Sequence, residues 1–459
     1  MFVGRSRELE KLNEMYFSDS FEHAVVYGRR RVGKTALIKE FIKDKNAVYF
    51  LAREADATVN LTMFYTDVYV STKSELKDDS LFPSWEDALK YVYDISGNER
   101  LVLIIDDYQF LDKSHKSISS IFKSCINNQF VYSKLFLIFC VNNLSFSNND
   151  SSSSNYTFLK QAALLEITPL SFFESLPFFS TFKGEDKAVL YGVTGGMPCY
   201  LNKINRNISV DENIAELFLK TTGFLYEEPT NLLKDELREL AVYNGVMHAI
   251  ANGAFRLNDI SIYCGCESNK CAKYLKSLIL LGFAKKEIPV TEAQSKKSKY
   301  LIADFMFRFW YRFIFSNKSK IELGNEKEVY DEISRDISSY MELVFEEICK
   351  QYLVEESRKN TLPFRLKNIG SWWATDQKEK YEKIDILAFS KNSSIFGQCC
   401  WDDDLVDIDI LTELKEKSEM FSYKNKWFWI FAKRGFTDGL IKNAKDFGNV
   451  RLVTFPTDK

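Results

Sequence analysis

The residues whose chemistry is clearest form a phosphate-binding loop near the start of the chain. Residues 28–35 read Gly-Arg-Arg-Arg-Val-Gly-Lys-Thr, which matches the pattern G-x-x-x-x-G-K-T. An apolar run at residues 23–27 precedes the loop, and a helical pattern begins at residue 36. Glycines in such a loop let backbone amides converge on phosphate oxygens at the positive end of the following helix. The motif and its strand–loop–helix setting together predict a nucleotide site.

Each part of this loop has an expected role. We expect Lys34 to reach the β- and γ-phosphates of ATP, and Thr35 to hold Mg²⁺. The alternative, a basic turn that matches the pattern by chance, is disfavoured by the strand and helix patterns on either side. The other residues expected to line the phosphates are Gly28, Arg29, Arg30, Arg31, Val32, Gly33 and Ala36.

Two carboxylates end a second apolar segment, which reads Leu-Val-Leu-Ile-Ile-Asp-Asp at residues 101–107. We expect this strand to lie beside the P-loop strand, with Asp106 orienting the water shell of Mg²⁺ and Asp107 positioning the attacking water. Asp107 stands where the longer Glu is usual, so the sequence predicts hydrolysis that is slow or that waits for a conformational closure. A third apolar run, residues 135–140, leads to Asn142, our candidate γ-phosphate sensor, although a plain loop start explains Asn142 and Asn143 equally well.

The composition is that of an ordinary globular protein. The chain has 459 residues, 46% of them apolar, and a net charge of -3, so we expect two to four domains, and no global basic excess indicates nucleic acid. Nine cysteines, mostly in apolar runs, fit a reduced cytoplasmic protein. The sequence shows neither the layout of a signal peptide nor an apolar stretch of bilayer length, so we expect no membrane role. The oligomeric state is left open.

The alternation of strand and helix patterns predicts an α/β protein with five parts. Residues 1–182 predict the parallel sheet of a P-loop ATPase core, and residues 183–232 a helical lid. Residues 233–303 read helix, helix, helix and basic hairpin, which indicates a winged helix-turn-helix. Residues 304–334 are rich in aromatic residues and are interpreted as a buried linking segment. Residues 335–459 indicate a second α/β domain, with strands at 383–389, 394–398, 426–432 and 450–455.

A basic patch is predicted on the winged helix. A spacing of three places lysines along one face of its recognition helix, and further lysines lie in the hairpin, or wing. Such a patch meets DNA phosphates without reading sequence. The alternative is a solvated helix face on a winged helix that contacts protein. The lysines are Lys270, Lys273 and Lys276 on the helix, and Lys296, Lys297 and Lys299 on the wing.

The combination of motifs resembles one family. Residues 2–9 are similar to F-x-G-R-x-x-E-L, residues 195–201 to G-G-x-P-x-Y-L, and residues 304–310 to D-x-F-x-x-F-W. Together with the P-loop, these segments resemble the archaeal-type ATPases of the AAA+/STAND class over nearly the whole chain. The resemblance implies that Phe2 and Val3 lie near the adenine base and that the lid around residues 195–198 closes over the nucleotide. The segment after the third strand lacks the arginine that relatives often carry there.

The same resemblance implies a restriction-endonuclease-like domain of unknown function in residues 335–459. Such a site needs carboxylates that hold Mg²⁺ and a lysine, usually as Asp on one strand and Glu-x-Lys on the next. Asp385 supplies the first group, and Glu346 on a preceding helix is a further acidic candidate. Gln398 and Cys400 stand where relatives carry Glu and Lys, and neither an amide nor a thiol replaces those charges. We therefore expect a degenerate site that has lost cleavage; the alternative for Asp385 is a solvated strand-end residue.

These patterns predict an ATP-binding, Mg²⁺-dependent ATPase that acts as a nucleotide-driven switch, on DNA through its winged helix. Two alternatives remain open. One is a signalling or assembly NTPase that binds protein partners, and the other is an ATP-regulated nuclease with a displaced site. The lysine set distinguishes DNA from protein partners, and the Gln398/Cys400 pair distinguishes an inactive nuclease from an active one.

Overall fold

The computed structural model of this chain describes residues 2–18, 20–72, 82–97, 99–142, 159, 161–292, 297–375 and 381–455. It separates into two compact units. The first runs to Pro169 and includes Met197–Cys199; the second comprises Leu170–Gly196 and the chain from Tyr200 onward.

The first unit is built on a parallel five-stranded sheet with the order β2-β3-β4-β1-β5. Its two central strands are buried along their whole length, because helices cover both faces of a parallel sheet. The strands are β1 Glu22–Tyr27, β2 Ala47–Leu51, β3 Leu101–Asp106, β4 Leu135–Val141 and β5 Ala163–Glu166. The helices are α1 Ser6–Tyr16, α2 Lys34–Phe41, α3 Ala57–Thr72, α4 Trp85–Ile95, α5 Tyr108–Ser114 and α6 Ile118–Asn128.

The strand order corrects one expectation and confirms the fold class. The carboxylate strand β3 does not lie beside the P-loop strand β1, because β4 is inserted between them. The predicted parallel sheet is nevertheless present, and the apolar runs that begin at residues 23, 101 and 135 lie in β1, β3 and β4. The carboxyl ends of neighbouring parallel strands meet at one edge, which is where ligands of such sheets bind. The P-loop begins at this edge directly after β1, Asp106 is the last residue of β3, and Asn142 comes directly after β4.

The second unit begins with short helices and a three-helix segment that ends in a hairpin. Strands β6 and β7 pair in antiparallel fashion, so the helix–helix–helix–hairpin order predicted for a winged helix-turn-helix is present. The helices are α7 Phe172–Ser175, α8 Gly184–Thr194, α9 Pro198–Leu201, which crosses the division between the units, α10 Val210–Ile214, α11 Glu228–Glu236, α12 Leu240–Ala251, α13 Leu257–Tyr263 and α14 Ser268–Leu280, and the strands are β6 Ala284–Glu287 and β7 Lys299–Ile302.

The aromatic part of the following segment, residues 304–314, is mostly buried, whereas residues 322–325 are exposed, and the chain then leads to a second sheet. Strand β9 runs antiparallel to both of its neighbours, β8 and β10, whereas β11 and β12 run parallel to β10. The predicted strands of the last part are confirmed, and β8 is an additional one. The elements are α15 Phe305–Phe309, α16 Lys318–Glu322, α17 Glu326–Arg358, β8 Asn368–Thr375, β9 Tyr381–Phe389, β10 Ser393–Cys400, α18 Ile408–Ser418, β11 Asn425–Ala432, α19 Asp438–Phe447 and β12 Val450–Thr454.

Two of the motif segments meet within the second unit. Asp304 accepts hydrogen bonds from the amides of Met306 (2.8 Å) and Phe307 (3.3 Å) and so caps α15. A Cβ on Gly195 would lie 2.7 Å from the Asp304 carboxylate. The Gly-Gly pair and the aspartate therefore depend on each other, since the capping carboxylate occupies space that only glycine leaves open.

We expect Gly196→Ala to destabilise the second unit. Gly196 has φ +69°, and an added Cβ would lie 2.2 Å from the Leu170 carbonyl oxygen, so both strain and overlap oppose the change. The expected loss is about 3 kcal/mol or more. Urea unfolding followed by tryptophan fluorescence reports this unit, because six of the seven tryptophans lie after residue 300.

The matched control is Gly253→Ala. Gly253 also has positive φ (+96°), but its added Cβ would meet no atom within 4 Å. This change isolates backbone strain and should cost only about 1–2 kcal/mol. Equal unfolding midpoints for the two variants would show that the contact between residues 196 and 170 is not as close as described.

Candidate nucleotide-binding site

The P-loop, residues 28–35, follows β1 and includes the first two residues of α2. A Cβ on Gly28 would lie only 2.2 Å from the carbonyl oxygen of Ile167, so no other residue fits there. Ile167 is held in place because its amide donates to the Tyr27 carbonyl at 2.7 Å. At the other end of the loop, a Cβ on Gly33 would contact the Pro198 ring at 3.6 Å. The glycines at both ends of the loop therefore lie next to neighbouring groups, the Ile167 carbonyl and the Pro198 ring.

Lys34 lies inside the loop, with only 6% of its surface exposed. Its ammonium group donates to the carbonyl oxygen of Gly28 at 2.7 Å and to Asn142 Oδ1 at 2.9 Å. Burial lowers the pKa of Lys34, and the nearby charges of Asp107 and Asp106 oppose that effect. The structure thus brings together the predicted phosphate-binding lysine and the predicted sensor Asn142. Asn143 lies outside the described residues.

Asp106 is the centre of a hydrogen-bonded cluster and is 1% exposed. Its Oδ2 accepts from the hydroxyl groups of Thr35 and Tyr49, each at 2.7 Å. Its Oδ1 accepts from the amide of Asp107 at 2.9 Å. Three donors hold the carboxylate in one orientation, which satisfies a buried charge that would otherwise be costly.

Asp107 has a strained backbone and a raised pKa. Its φ of 52° is left-handed, which is uncommon for a residue other than glycine and is found at functional sites. Gln109 Nε2 donates to Asp107 Oδ1 at 2.8 Å. Burial raises the pKa of Asp107, the hydrogen bond from Gln109 opposes this, and the charge of Asp106 adds to the increase. A carboxyl group with a raised pKa is a better proton acceptor near neutral pH.

Sequence reasoning missed two residues that shape this site. Tyr49 belongs to none of the motifs, although its hydroxyl group reaches Asp106. Arg5 is 4% exposed, and its Nη2 donates to the carbonyl oxygens of Val32 (3.2 Å) and Thr168 (2.5 Å). Arg5 therefore links the segment before α1 to the P-loop. The only sequence signal for Arg5 was its place in the opening motif.

Most residues predicted for a degenerate nuclease site meet in the second unit. Asp385 Oδ2 accepts from Gln398 Nε2 at 2.7 Å and from the Cys399 amide at 3.0 Å. Lys383, which sequence reasoning overlooked, forms ion pairs with Asp385 at 2.9 Å and with Glu346. Asp385 is 5% exposed, so its interpretation as a solvated strand-end residue is wrong.

Cys400 lies apart from these polar contacts. It is buried in the hydrophobic core of the second sheet with Phe396 and Phe428. Burial, then the charge of Asp385, raises the pKa of Cys400 to about 12. The thiol therefore stays protonated and neutral at physiological pH and adds no charge to the site.

The predicted DNA-binding lysines that the structure describes differ in their surroundings. Lys270, Lys273 and Lys276 are exposed along α14. The wing instead faces the second sheet, because Trp373 Nε1 donates to the Lys297 carbonyl at 2.9 Å. Lys299 donates to the Tyr381 hydroxyl at 2.6 Å and lies over the Trp373 ring. Lys296 is outside the described residues.

The sequence matches two family descriptions. Residues 2–204 match an ATPase domain predominantly from Archaea. Residues 310–429 match a family described as archaeal and bacterial proteins of unknown function. An uncharacterized protein of Methanocaldococcus jannaschii is 32% identical over 447 residues, covering 95% of this chain and 96% of the relative. The chain belongs to the archaeal ATPase family.

This archaeal ATPase is also similar to two further proteins. An uncharacterized ATP-binding protein of Methanocaldococcus jannaschii is 49% identical over 45 residues, covering 10% of this chain and 76% of the relative. A solved Walker-type ATPase of Pyrococcus abyssi is 15% identical with a TM-score of 0.49, covering 68% of this chain and 96% of that one. In the part of the archaeal ATPase that the structure describes, no helix has the length and apolar character needed to cross a bilayer.

The side chains of the archaeal ATPase suit ATP with Mg²⁺. Thr35 Oγ1 and Asp106 Oδ2 are 2.7 Å apart, and hydroxyl and carboxylate oxygens are ligands that Mg²⁺ accepts beside water and phosphate. The Lys34 ammonium lies at the same edge of the sheet and supplies a positive charge for the phosphates.

We expect Tyr49→Phe to weaken the use of Mg²⁺ without abolishing nucleotide binding. The change removes one of three donors to Asp106 and leaves the ring in place. Turnover at limiting Mg²⁺ should fall about fivefold, equivalent to about 1 kcal/mol, and should recover at saturating Mg²⁺. Affinity for ATP in the absence of Mg²⁺ should not change.

Mg²⁺ titrations of ATP hydrolysis provide the measurement. Tyr132→Phe is the matched control, because Tyr132 is 80% exposed. A Tyr49→Phe enzyme with the Mg²⁺ dependence of the wild type would show that the Tyr49 hydroxyl does not position Asp106.

Proposed function

We propose that the protein binds ATP with Mg²⁺ and hydrolyses it slowly, as a nucleotide-driven switch. The observation that carries this proposal is the convergence of Lys34, Thr35 and Asp106 at one edge of a parallel sheet. Membership of the archaeal ATPase family supports the same conclusion. The division of the chain into five parts, predicted from sequence, is also a proposal.

The residues of the site divide the work of phosphoryl transfer. Lys34 binds the β- and γ-phosphates, and Thr35 and Asp106 hold the metal. Mg²⁺, when bound, neutralises charge that develops on the phosphate oxygens. Asp107 orients the attacking water and accepts its proton, which its raised pKa favours. Asn142, which now binds the Lys34 ammonium, is placed to sense the terminal phosphate.

We expect Lys34→Ala to lower ATP affinity by at least about tenfold, since a charged hydrogen bond contributes about 1.5–3 kcal/mol. Equilibrium binding of a fluorescent ATP analogue, together with phosphate release, measures both affinity and turnover. Lys43→Ala is the control, because Lys43 is an exposed lysine just after α2. Wild-type affinity and turnover in Lys34→Ala would refute the assignment of the P-loop.

We expect turnover of the isolated wild type to be below about 1 s⁻¹, at the lower end of the range for enzymes. Asp107→Glu should raise it, because the longer side chain reaches farther, and Asp107→Asn should abolish it while ATP still binds. The base works only when ionised, and its pKa is raised, so wild-type turnover should fall on acidification above the pH range of an ordinary Asp. A faster Asp107→Asn enzyme would exclude Asp107 as the base.

We further propose that α14 binds DNA through phosphate contacts. This surface is favoured because its three lysines are exposed, whereas Lys299 of the wing is committed to Tyr381 and Trp373. Lysines contribute charge but few base-specific contacts, so binding should be non-specific and sensitive to salt.

Replacing Lys270, Lys273 and Lys276 with Ala should weaken DNA binding for all sequences. It should also reduce the slope of the logarithm of the binding constant against the logarithm of salt concentration by up to about three. The control removes the same charge from exposed lysines of the first unit, Lys90, Lys116 and Lys123. Fluorescence anisotropy with labelled duplexes over a salt series is the measurement. Equal affinity of the two triple variants would leave protein as the partner of the winged helix.

A further inference from the structure

The polar cluster of the nuclease-like domain holds its own cation. Two carboxylates, Glu346 on α17 and Asp385 on β9, are 6% and 5% exposed. The ammonium group of Lys383 contacts both of them. Two ion pairs with buried carboxylates favour the charged form of a lysine, so this ammonium compensates part of the buried negative charge.

The second residue that stabilises Asp385 is Gln398, a neutral hydrogen-bond donor. Its amide nitrogen donates to Asp385 Oδ2 at 2.7 Å, and the Cys399 amide donates to the same oxygen at 3.0 Å. A Glu at this position would place a third carboxylate next to Asp385, and only a strong cation between them would make that arrangement stable. With Gln398 as a donor, all oxygens of Asp385 are satisfied by the chain itself.

We propose that Lys383 is a permanent, built-in counter-cation for Glu346 and Asp385, in place of a divalent metal ion. The paired presence of Lys383 and Gln398 makes the cluster independent of metal. This inference deepens the sequence-based expectation that the domain has lost cleavage, and its test measures metal binding rather than cutting, so it does not depend on the ATPase activity.

A specific consequence follows for the cluster without its lysine. Removal of the ammonium would leave two buried carboxylates and the Gln398 amide oxygen as candidate ligands, a set suited to Mn²⁺ or Mg²⁺. A cavity of about 50 Å³ borders Glu346 and is lined by both charged and apolar residues, among them Lys285, Glu287 and Phe255.

The test is Mn²⁺ binding to the full-length chain without nucleotide, measured by the loss of the free Mn²⁺ signal in electron paramagnetic resonance. Lys383→Met should bind one Mn²⁺ per chain more than wild type. It should also unfold at a higher temperature with Mn²⁺ than without. Lys383→Arg, which keeps the positive charge, should bind no more Mn²⁺ than wild type.

The control for the site is the double variant Lys383→Met with Asp385→Asn, which should lose the additional Mn²⁺. Equal Mn²⁺ binding by Lys383→Met and wild type would overturn the proposal. Wild-type Mn²⁺ binding that is lost in Asp385→Asn would also overturn it and would favour the displaced-site nuclease.

If Lys383→Met does not fold without metal, the proposal expects Mn²⁺ to restore its folding, seen as recovery of a cooperative unfolding transition. A second variant, Lys383→Met with Glu346→Gln, removes one charge of each sign and should fold without metal. Failure of both variants to fold in either condition would contradict an electrostatic role for Lys383.

Discussion

The hydrogen bond between Thr35 and Asp106 is the constraint on which the nucleotide site depends. It joins the first turn of α2 to the end of β3, two elements that are 71 residues apart in sequence and separated by β4 in the sheet. Asp106 is almost fully buried, so its charge requires several donors, and Tyr49 and the Asp107 amide supply the others. The same carboxylate that stabilises this edge of the sheet is therefore oriented for Mg²⁺. One set of hydrogen bonds thus serves both the proposed binding of Mg²⁺ and the local stability of the sheet.

The strands that are buried on both faces could be predicted from the sequence. Strands β3 and β4 are continuous apolar runs, because both faces of each are covered. Strand β5 was missed, since it has only four residues and none of them is fully buried. The order of strands could not be inferred from the patterns, and β4 rather than β3 proved to be the neighbour of β1. Local patterns carry burial, but pairing depends on contacts between distant segments.

The same distinction applies to the sites. Lys34, Thr35 and Asp106 belong to motifs with fixed local spacing, and the structure brings them together. Tyr49 and Lys383 belong to no such motif, and the motif that contains Arg5 does not reveal its contacts; the partners of these residues are 57, 37 and 163 residues away. Their chemistry depends on burial and on a partner's charge, and neither is visible in a single sequence. Because Lys383 pairs with Asp385, the Gln398 that stands in place of Glu is explained by the proposed replacement of a metal ion with a lysine, and not by the loss of a ligand alone.

The central claim is that this archaeal ATPase binds one ATP in a manner that Mg²⁺ strengthens. Isothermal titration of the wild-type chain with ATP, in parallel with and without Mg²⁺, tests it most directly. The account predicts a single site per chain, with higher affinity when Mg²⁺ is present. Absence of saturable binding at millimolar ATP under both conditions would contradict it.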